Sequence, residues 1–298
     1  MPQSTVVKKL TATDGRRLEE ALGTGPYEFR RVPHARFSAK GEGVVVTLYT
    51  SGKLVVQGSE AEGFCLRYLG GAGADVAPKR KSAPAEAEGW QPDVVATGSD
   101  EAGKGDVFGP LVVCALRLDP DEARKLSEGG VVDSKQLTDA KALELGAILE
   151  DRYQPAVVRL DPVDYNPAHR DHDSNLNLLL AALHARALKE AAGPGELVIV
   201  DQFGPEARMR DALSGTDFEL RQFPRGESVT CVAAASIVAR RAFLLGLKEV
   251  GDEVGVDLPK GAGSPVGGAL KKLIALHGPP VLKHVAKLHF KNVQRALR

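Results

Sequence analysis

The chain has 298 residues, 43% hydrophobic and 26% charged, enough for one large domain or two smaller ones with a real core. No uninterrupted apolar run approaches the roughly 18–20 residues of a membrane span, and the N-terminus "MPQSTVVKKLTATDGRR" lacks the apolar core of a secretion signal. The formal net charge is zero, yet residues 1–92 carry 13 basic and 10 acidic groups, residues 93–257 carry 18 and 29, and residues 258–298 carry 8 and none.

From the N-terminus, "DGRRLEEAL" has the spacing of a short amphipathic helix. Strand-like runs follow in "YEFRRV", "RFSA" and "GVVVTLYT". Ser51-Gly52 turns the last of them into "KLVVQG" as a hairpin, because Gly readily supplies the φ > 0 of a tight turn. "SEAEGFCLRYL" then closes with helical spacing. The pattern predicts a small α+β unit over residues 1–70, with three or four antiparallel strands and two helices on one face. Arg30, Arg31, Arg36 and Lys40 beside such a sheet point to nucleic-acid contact. Residues 71–92, "GAGADVAPKRKSAPAEAEGWQP", have the composition of a linker and set off residues 93–298.

In the larger part, "DVVATGSD" and "PLVVCALRL" read as strands paired across the loop 101–110. Thr138 is placed to N-cap "DAKALELGAILEDR", with Asp139 complementing the helix dipole. "HRDHD", residues 169–173, reads as a polar loop, since zinc-type spacing on one helix face is missing. "SNLNLLLAALHARALKEAA" predicts a helix stopped by Gly193-Pro194. "LVIV" is a short apolar strand that ends at Asp201, "FELRQF" is a further strand, and "VTCVAAASIVARRAFLLGLKEV" is a long Ala-rich helix. Strands alternating with helices predict α/β layers.

The stretch "GSDEAGKGD", residues 98–106, fits G-x-x-x-x-G-K through Lys104, but Gly105 replaces the Ser or Thr of a phosphate loop. Asp100 and Glu101 would repel bound phosphates, and Pro110 with a β-rich run follows where that loop needs a helix N-terminus. A nucleotide-triphosphate cradle, and with it an NTP-driven enzyme, is disfavoured on three counts. Adjacent carboxylates at a strand end suit a hard divalent cation such as Mg²⁺. Asp201 adds a third carboxylate at a strand edge, the usual place for a site in an open α/β sheet, and Glu227 in "PRGES" is a fourth candidate. Cys65, Cys114 and Cys231 are odd in number and far apart, so neither a disulfide framework nor a Cys-based zinc site is expected. An acidic middle between basic ends fits a protein that holds cations centrally and grips a polyanion peripherally.

These residues carry a resemblance. "GSDEAGKGDVFGPLVVCA" is similar to the signature of the type 2 ribonucleases H, in which the Asp-Glu pair is followed by Gly-Arg-Gly in the HII branch and Gly-Lys-Gly in the HIII branch. "DSKQL" (133–137), "NLNLLLAALHARAL" (175–188), "VIVDQF" (198–203) and "ESVTCVAAASIVAR" (227–240) match further family blocks in order. "FSAKGEGVVVTLYTSGKLVVQG" resembles the TATA-binding-protein-like domain of the HIII branch.

The resemblance implies a ribonuclease H-like mixed sheet flanked by helices over 93–298, after a TATA-binding-protein-like substrate-binding domain over 1–70. It implies a four-carboxylate, two-metal site of Asp100, Glu101, Asp201 and Glu227 for Mg²⁺ or Mn²⁺. The HII branch commonly has Asp at the fourth position. Gly103, Lys104 and Gly105 would bring backbone amides to the ribose 2′-hydroxyls that separate RNA from DNA, and Ser134 and Lys135 would contact the substrate. The expected protein is a cytoplasmic, monomeric endoribonuclease on RNA–DNA hybrids, with no membrane contact. The alternatives are an HII-type enzyme incising at single ribonucleotides and a non-catalytic nucleic-acid-binding protein.

Overall fold

Alternation of buried and half-buried side chains in Val44–Tyr49, with Val44, Val46 and Leu48 inward, makes a one-sided strand of that segment. Leu54 and Val56 repeat the pattern in Lys53–Gly58. The computed structural model describes residues 4–58, 60–69, 90–131 and 137–298, and the chain divides into two compact units, residues 1–84 and 85–298.

The first unit contains β1 (Ser4–Lys9), α1 (Ala12–Gly23), β2 (Glu28–Arg30), β3 (Ala35–Gly41), β4 (Val44–Tyr49), β5 (Lys53–Gly58) and α2 (Ala61–Tyr68). Its sheet runs β1-β5-β4-β3-β2, antiparallel throughout. Thr11 caps α1 by accepting a hydrogen bond from the Asp14 amide at 3.2 Å. Leu18 and Leu22 of α1 and Phe64 of α2 share one core with Phe37, Val46 and Leu54, so both helices cover the same face. The sheet has five strands where the sequence predicts three or four. The addition is β1, whose partner β5 lies some fifty residues away (Val6 pairs with Val56), and such pairing leaves no local signature.

The second unit contains β6 (Ala96–Ala102), β7 (Leu111–Leu118), α3 (Pro120–Glu128), α4 (Asp139–Tyr153), β8 (Ala156–Leu160), α5 (Pro162–Asp171) and α6 (Leu176–Ala191). It continues through β9 (Leu197–Asp201), α7 (Glu206–Ala212), β10 (Glu219–Phe223), α8 (Thr230–Val254), α9 (Ser264–His277), α10 (Leu282–Val285) and α11 (Lys291–Ala296). The sheet order is β10-β9-β6-β7-β8. Here β6, β7 and β8 are antiparallel neighbours, while β9 and β10 run parallel to β6. This is the expected mixed sheet, with α8 against one face and α6 against the other. Thr138 caps α4 as predicted. "HRDHD" is not all loop: α5 runs to Asp171, and His169 is buried, stacked on His289 with ring centroids 4.7 Å apart.

Helix α8 holds the sheet by close approach. Its small residues Ala233, Ala234, Ala235 and Ala239 are wholly buried. A Cβ on Gly98 of β6 would come within 2.3 Å of the Cys231 carbonyl carbon and the Val232 nitrogen. By length and composition α8 could cross a membrane, unlike any continuous apolar run in the sequence, yet 72% of its most apolar window is buried inside the unit. It is a core helix.

Of the stretch 71–92, residues up to 89 lie outside the described residues. Trp90 packs its ring at a tilt against Phe223 (5.6 Å) and under the Arg221 guanidinium (4.9 Å), and Gln91 bonds both the Ser228 carbonyl and the Thr230 amide, so this end is tied to the second unit. All three cysteines are buried thiols. Burial pushes the Cys114 thiol well up and takes that of Cys231 to about 12.

Gly98→Ala should force α8 off the sheet and destabilise the second unit by about 1–3 kcal/mol, the usual scale of overpacking. Trp90, the only tryptophan, reports that unit, so the measurement is its fluorescence during urea unfolding, and the midpoint should fall.

Candidate active site

The ends of β6 and β9 build the site. Ser99 pairs with Val200 in a parallel register, so Asp100 and Asp201 come next in line on adjacent strands, about 5 Å apart in backbone terms. Alternation sends Asp100 to the α8 face with Gly98, and Ser99 to the α6 face. Asp100, Glu101, Asp201, Gly103, Lys104 and Gly105 line one cleft of about 450 Å³, closed on the α8 side by Ser236, Arg240 and Phe243.

Each carboxylate is held differently. Asp100 is buried and accepts from the Glu101 amide at 2.7 Å. Burial first, then the charges of Glu101 and Asp201, push its carboxyl well above the ordinary range, while the Ser236 hydroxyl and the Glu101 amide oppose this. Burial would also raise Glu101, but a hydrogen bond from His184 and that ring's charge, joined by Lys104, outweigh it and bring Glu101 to about 2. The Lys104 ammonium lies 2.5 Å from Glu101 Oε1, and His184 Nε2 is 3.2 Å from Oε2. On its other side His184 Nδ1 is 2.6 Å from the Ser99 hydroxyl, and its ring stacks on Phe203 at 4.9 Å. Asp201 Oδ1 accepts the Gly226 amide at 2.8 Å.

Glu227 follows that amide in a short 3-10 turn, Gly226–Ser228; its Oε2 is shut from solvent, and it does not line the cleft. Ser134 and Lys135 lie outside the described residues. Among the described residues, no three His, Cys, Asp or Glu side chains converge at metal-ligand distance. The carboxylates instead share a cleft, with their oxygens on protein donors. An oxygen-rich, mutually repelling set of this kind fits a hard divalent cation, and Asp100, Glu101 and Asp201 could hold one.

The two glycines flanking Lys104 differ. Gly103 has φ +86°, and a Cβ there would meet the Pro110 carbonyl at 2.2 Å, so the turn itself requires glycine. Gly105 has open space where a Cβ would be. Nothing in the fold demands glycine there, which leaves its backbone open to close approach from the cleft.

Sequence reasoning missed His184, Ser236, Arg240 and Lys260. The spacing 236, 240, 243 marks one face of a helix that follows Glu227, so Ser236 and Arg240 were within reach. Arg240 (2.8 Å) and Lys260 both bind Asp139 at the start of α4, and these two cations, Lys260 first, hold the Asp139 carboxyl below its usual range.

Residues 97–293 match the family model described as Ribonuclease HII, and residues 5–78 match a domain of unknown function, DUF3378. A ribonuclease HIII of Protochlamydia amoebophila (strain UWE25) is 37% identical over 268 residues, 89% of this chain and 87% of the relative. The chain belongs to the ribonuclease HIII family. Another member of that family, from Bacillus pumilus (strain SAFR-032), is 34% identical and covers 99% of both chains, so the likeness runs through the first unit as well. The solved structure of Bst-RNase HIII in complex with Mn²⁺ is similar with a TM-score of 0.66 and 34% identity, covering 99% of this chain and 98% of that one.

Two outcomes are expected. Gly103→Ala should lower the unfolding midpoint while Gly105→Ala leaves it unchanged, and only Gly105→Ala should weaken binding of an RNA–DNA hybrid without a stability loss; paired melting and anisotropy titrations decide. His184→Ala should reduce Mn²⁺ affinity about tenfold, the usual effect of losing a group that orients a ligand, as read by electron paramagnetic resonance of free Mn²⁺.

Proposed function

We propose that this protein is an endoribonuclease hydrolysing the RNA strand of RNA–DNA hybrids, leaving 5′-phosphate and 3′-hydroxyl ends, and working as a cytoplasmic monomer. The observation that carries the proposal is the meeting of Asp100, Glu101 and Asp201 in one cleft beside the Gly103–Gly105 backbone and the cations Arg240 and Lys260. Two divalent ions, Mg²⁺ or Mn²⁺, held by these three carboxylates and joined by Glu227 once its side chain turns toward the cleft it does not now line, would supply an activated water and stabilise charge on the leaving 3′-oxygen.

The chain's own residues do the rest. Asp100 faces the charges of both Glu101 and Asp201 and so is the ligand suited to be shared. His184, itself held by Ser99, orients Glu101. Lys104 is 43% exposed at its side chain and can turn from Glu101 to a phosphate when cations neutralise the carboxylates. The Gly105 amide reads a 2′-hydroxyl, the group that distinguishes RNA. Arg240 and Lys260 face the backbone phosphates.

The first unit serves as a substrate grip. In its sheet the register puts Lys9, Arg30, Lys40 and Lys53 on the side away from α1 and α2, together with Thr47, Tyr49 and one carboxylate, Glu28, which pairs with Arg30. A basic open sheet binds a polyanion mainly by counterion release.

Asp100→Asn should cut hybrid cleavage at least about a hundredfold, the scale of several kcal/mol of lost transition-state stabilisation, with metal-free hybrid affinity largely unchanged. A variant with near-normal turnover would remove Asp100 from the site. Deleting residues 1–70 should lower hybrid affinity and flatten its dependence on salt, measured by anisotropy across a series of NaCl concentrations.

A further inference from the structure

Among the described residues, Lys287 is the only lysine or arginine that is fully buried. Its Nζ donates to three main-chain carbonyls, those of Asp106 (3.1 Å), Gly109 (2.7 Å) and Pro110 (3.1 Å), which uses every N–H of the ammonium. No carboxylate lies within ion-pairing distance among the described residues; the Asp106 carboxylate accepts the Gly261 amide instead, at 2.6 Å. Burial pulls Lys287 down to about 7, against the charges of Asp106 and Asp161. An apolar side chain would fill the space without that penalty, but it would leave three buried acceptors without donors. The three carbonyls are the reason for the ammonium.

They belong to the loop that joins β6 to β7, and the same loop carries Gly103, Lys104 and Gly105. The Pro110 carbonyl bound by Lys287 is the very group against which Gly103 makes its glycine-only turn, and the Asp106 amide returns to the Gly103 carbonyl at 3.2 Å. Lys287 is itself fixed. Its amide bonds the Val107 carbonyl at 2.8 Å, and the Gly109 amide bonds that of Val285 at 3.2 Å. Asn166 of α5 brackets the segment, donating to the Ala286 carbonyl at 3.0 Å and accepting from the Leu288 amide at 2.9 Å. The Tyr165 ring lies 5.6 Å from Nζ.

We infer that Lys287 is a positioning residue: through three carbonyls it fixes the 103–110 backbone from behind the cleft, and so sets how well the enzyme separates an RNA–DNA hybrid from a DNA duplex. It never touches substrate. This inference rests on the reading that the Gly103–Gly105 backbone meets the ribose.

The test uses full-length protein carrying Lys287→Met, which removes all three donors, or Lys287→Gln, which keeps two N–H groups. Fold is checked by circular dichroism and Trp90 fluorescence. Affinities for a hybrid and for a DNA duplex of equal length are measured without divalent metal, and Mn²⁺ affinity separately. In Lys287→Met the hybrid-over-duplex ratio should fall about tenfold, as sub-ångström misplacement of a reading group would give; Mn²⁺ affinity should hold, and Lys287→Gln should fall between. An unchanged ratio in folded Lys287→Met, with the wild-type preference intact, overturns the inference alone. A wild-type protein with no preference overturns both the inference and the ribose reading beneath it. Parallel loss of Mn²⁺ affinity, or failure of both variants to fold, would make Lys287 a general structural requirement and overturn its positioning role.

Discussion

Three carboxylates placed at the ends of two neighbouring strands repel one another, and a protein interior sharpens that repulsion. Most of what surrounds the cleft answers it. His184 and Lys104 take Glu101, the Gly226 amide takes Asp201, and Ser236 with the Glu101 amide steadies Asp100. The sheet register that creates the problem comes from the parallel pairing of β6 with β9, and Gly98 in that register lets α8 lie almost on the strand. Fold and electrostatics are therefore one arrangement: the close packing that brings the charges together also buries them, and the surrounding elements supply the donors that make the charges tolerable.

Much of this was legible in the residues alone. A four-residue apolar run ending in Asp201 reads as a buried strand delivering a charge to its edge, and "SDEAGKG" announces paired carboxylates before a tight turn. What escaped was non-local. Strands β1 and β8 have little patterning of their own and exist because partners from distant segments pair with them. His184 sits in a helix whose apolar spacing reads as core, and only the fold reveals that its ring reaches from Ser99 to Glu101. Gly103 and Gly105 look alike in sequence; backbone angle and neighbours separate a glycine the turn requires from one that leaves room. Lys287 sits in a basic C-terminal stretch that reads as part of a peripheral polyanion grip, whereas its ammonium is enclosed by carbonyls.

The burial of all three thiols has a practical consequence for watching the two units work. Thiolate, not thiol, reacts with maleimides and related labels, and burial holds Cys114 and Cys231 in the protonated form well past neutral pH. With Cys65 also buried, the natural chain should present little background to such reagents. A single cysteine introduced on the open sheet of the first unit and another on an exposed turn of the second would then be addressable in an otherwise unaltered protein. The distance between two dyes, followed as a hybrid is added, would report whether the two units move relative to one another on binding.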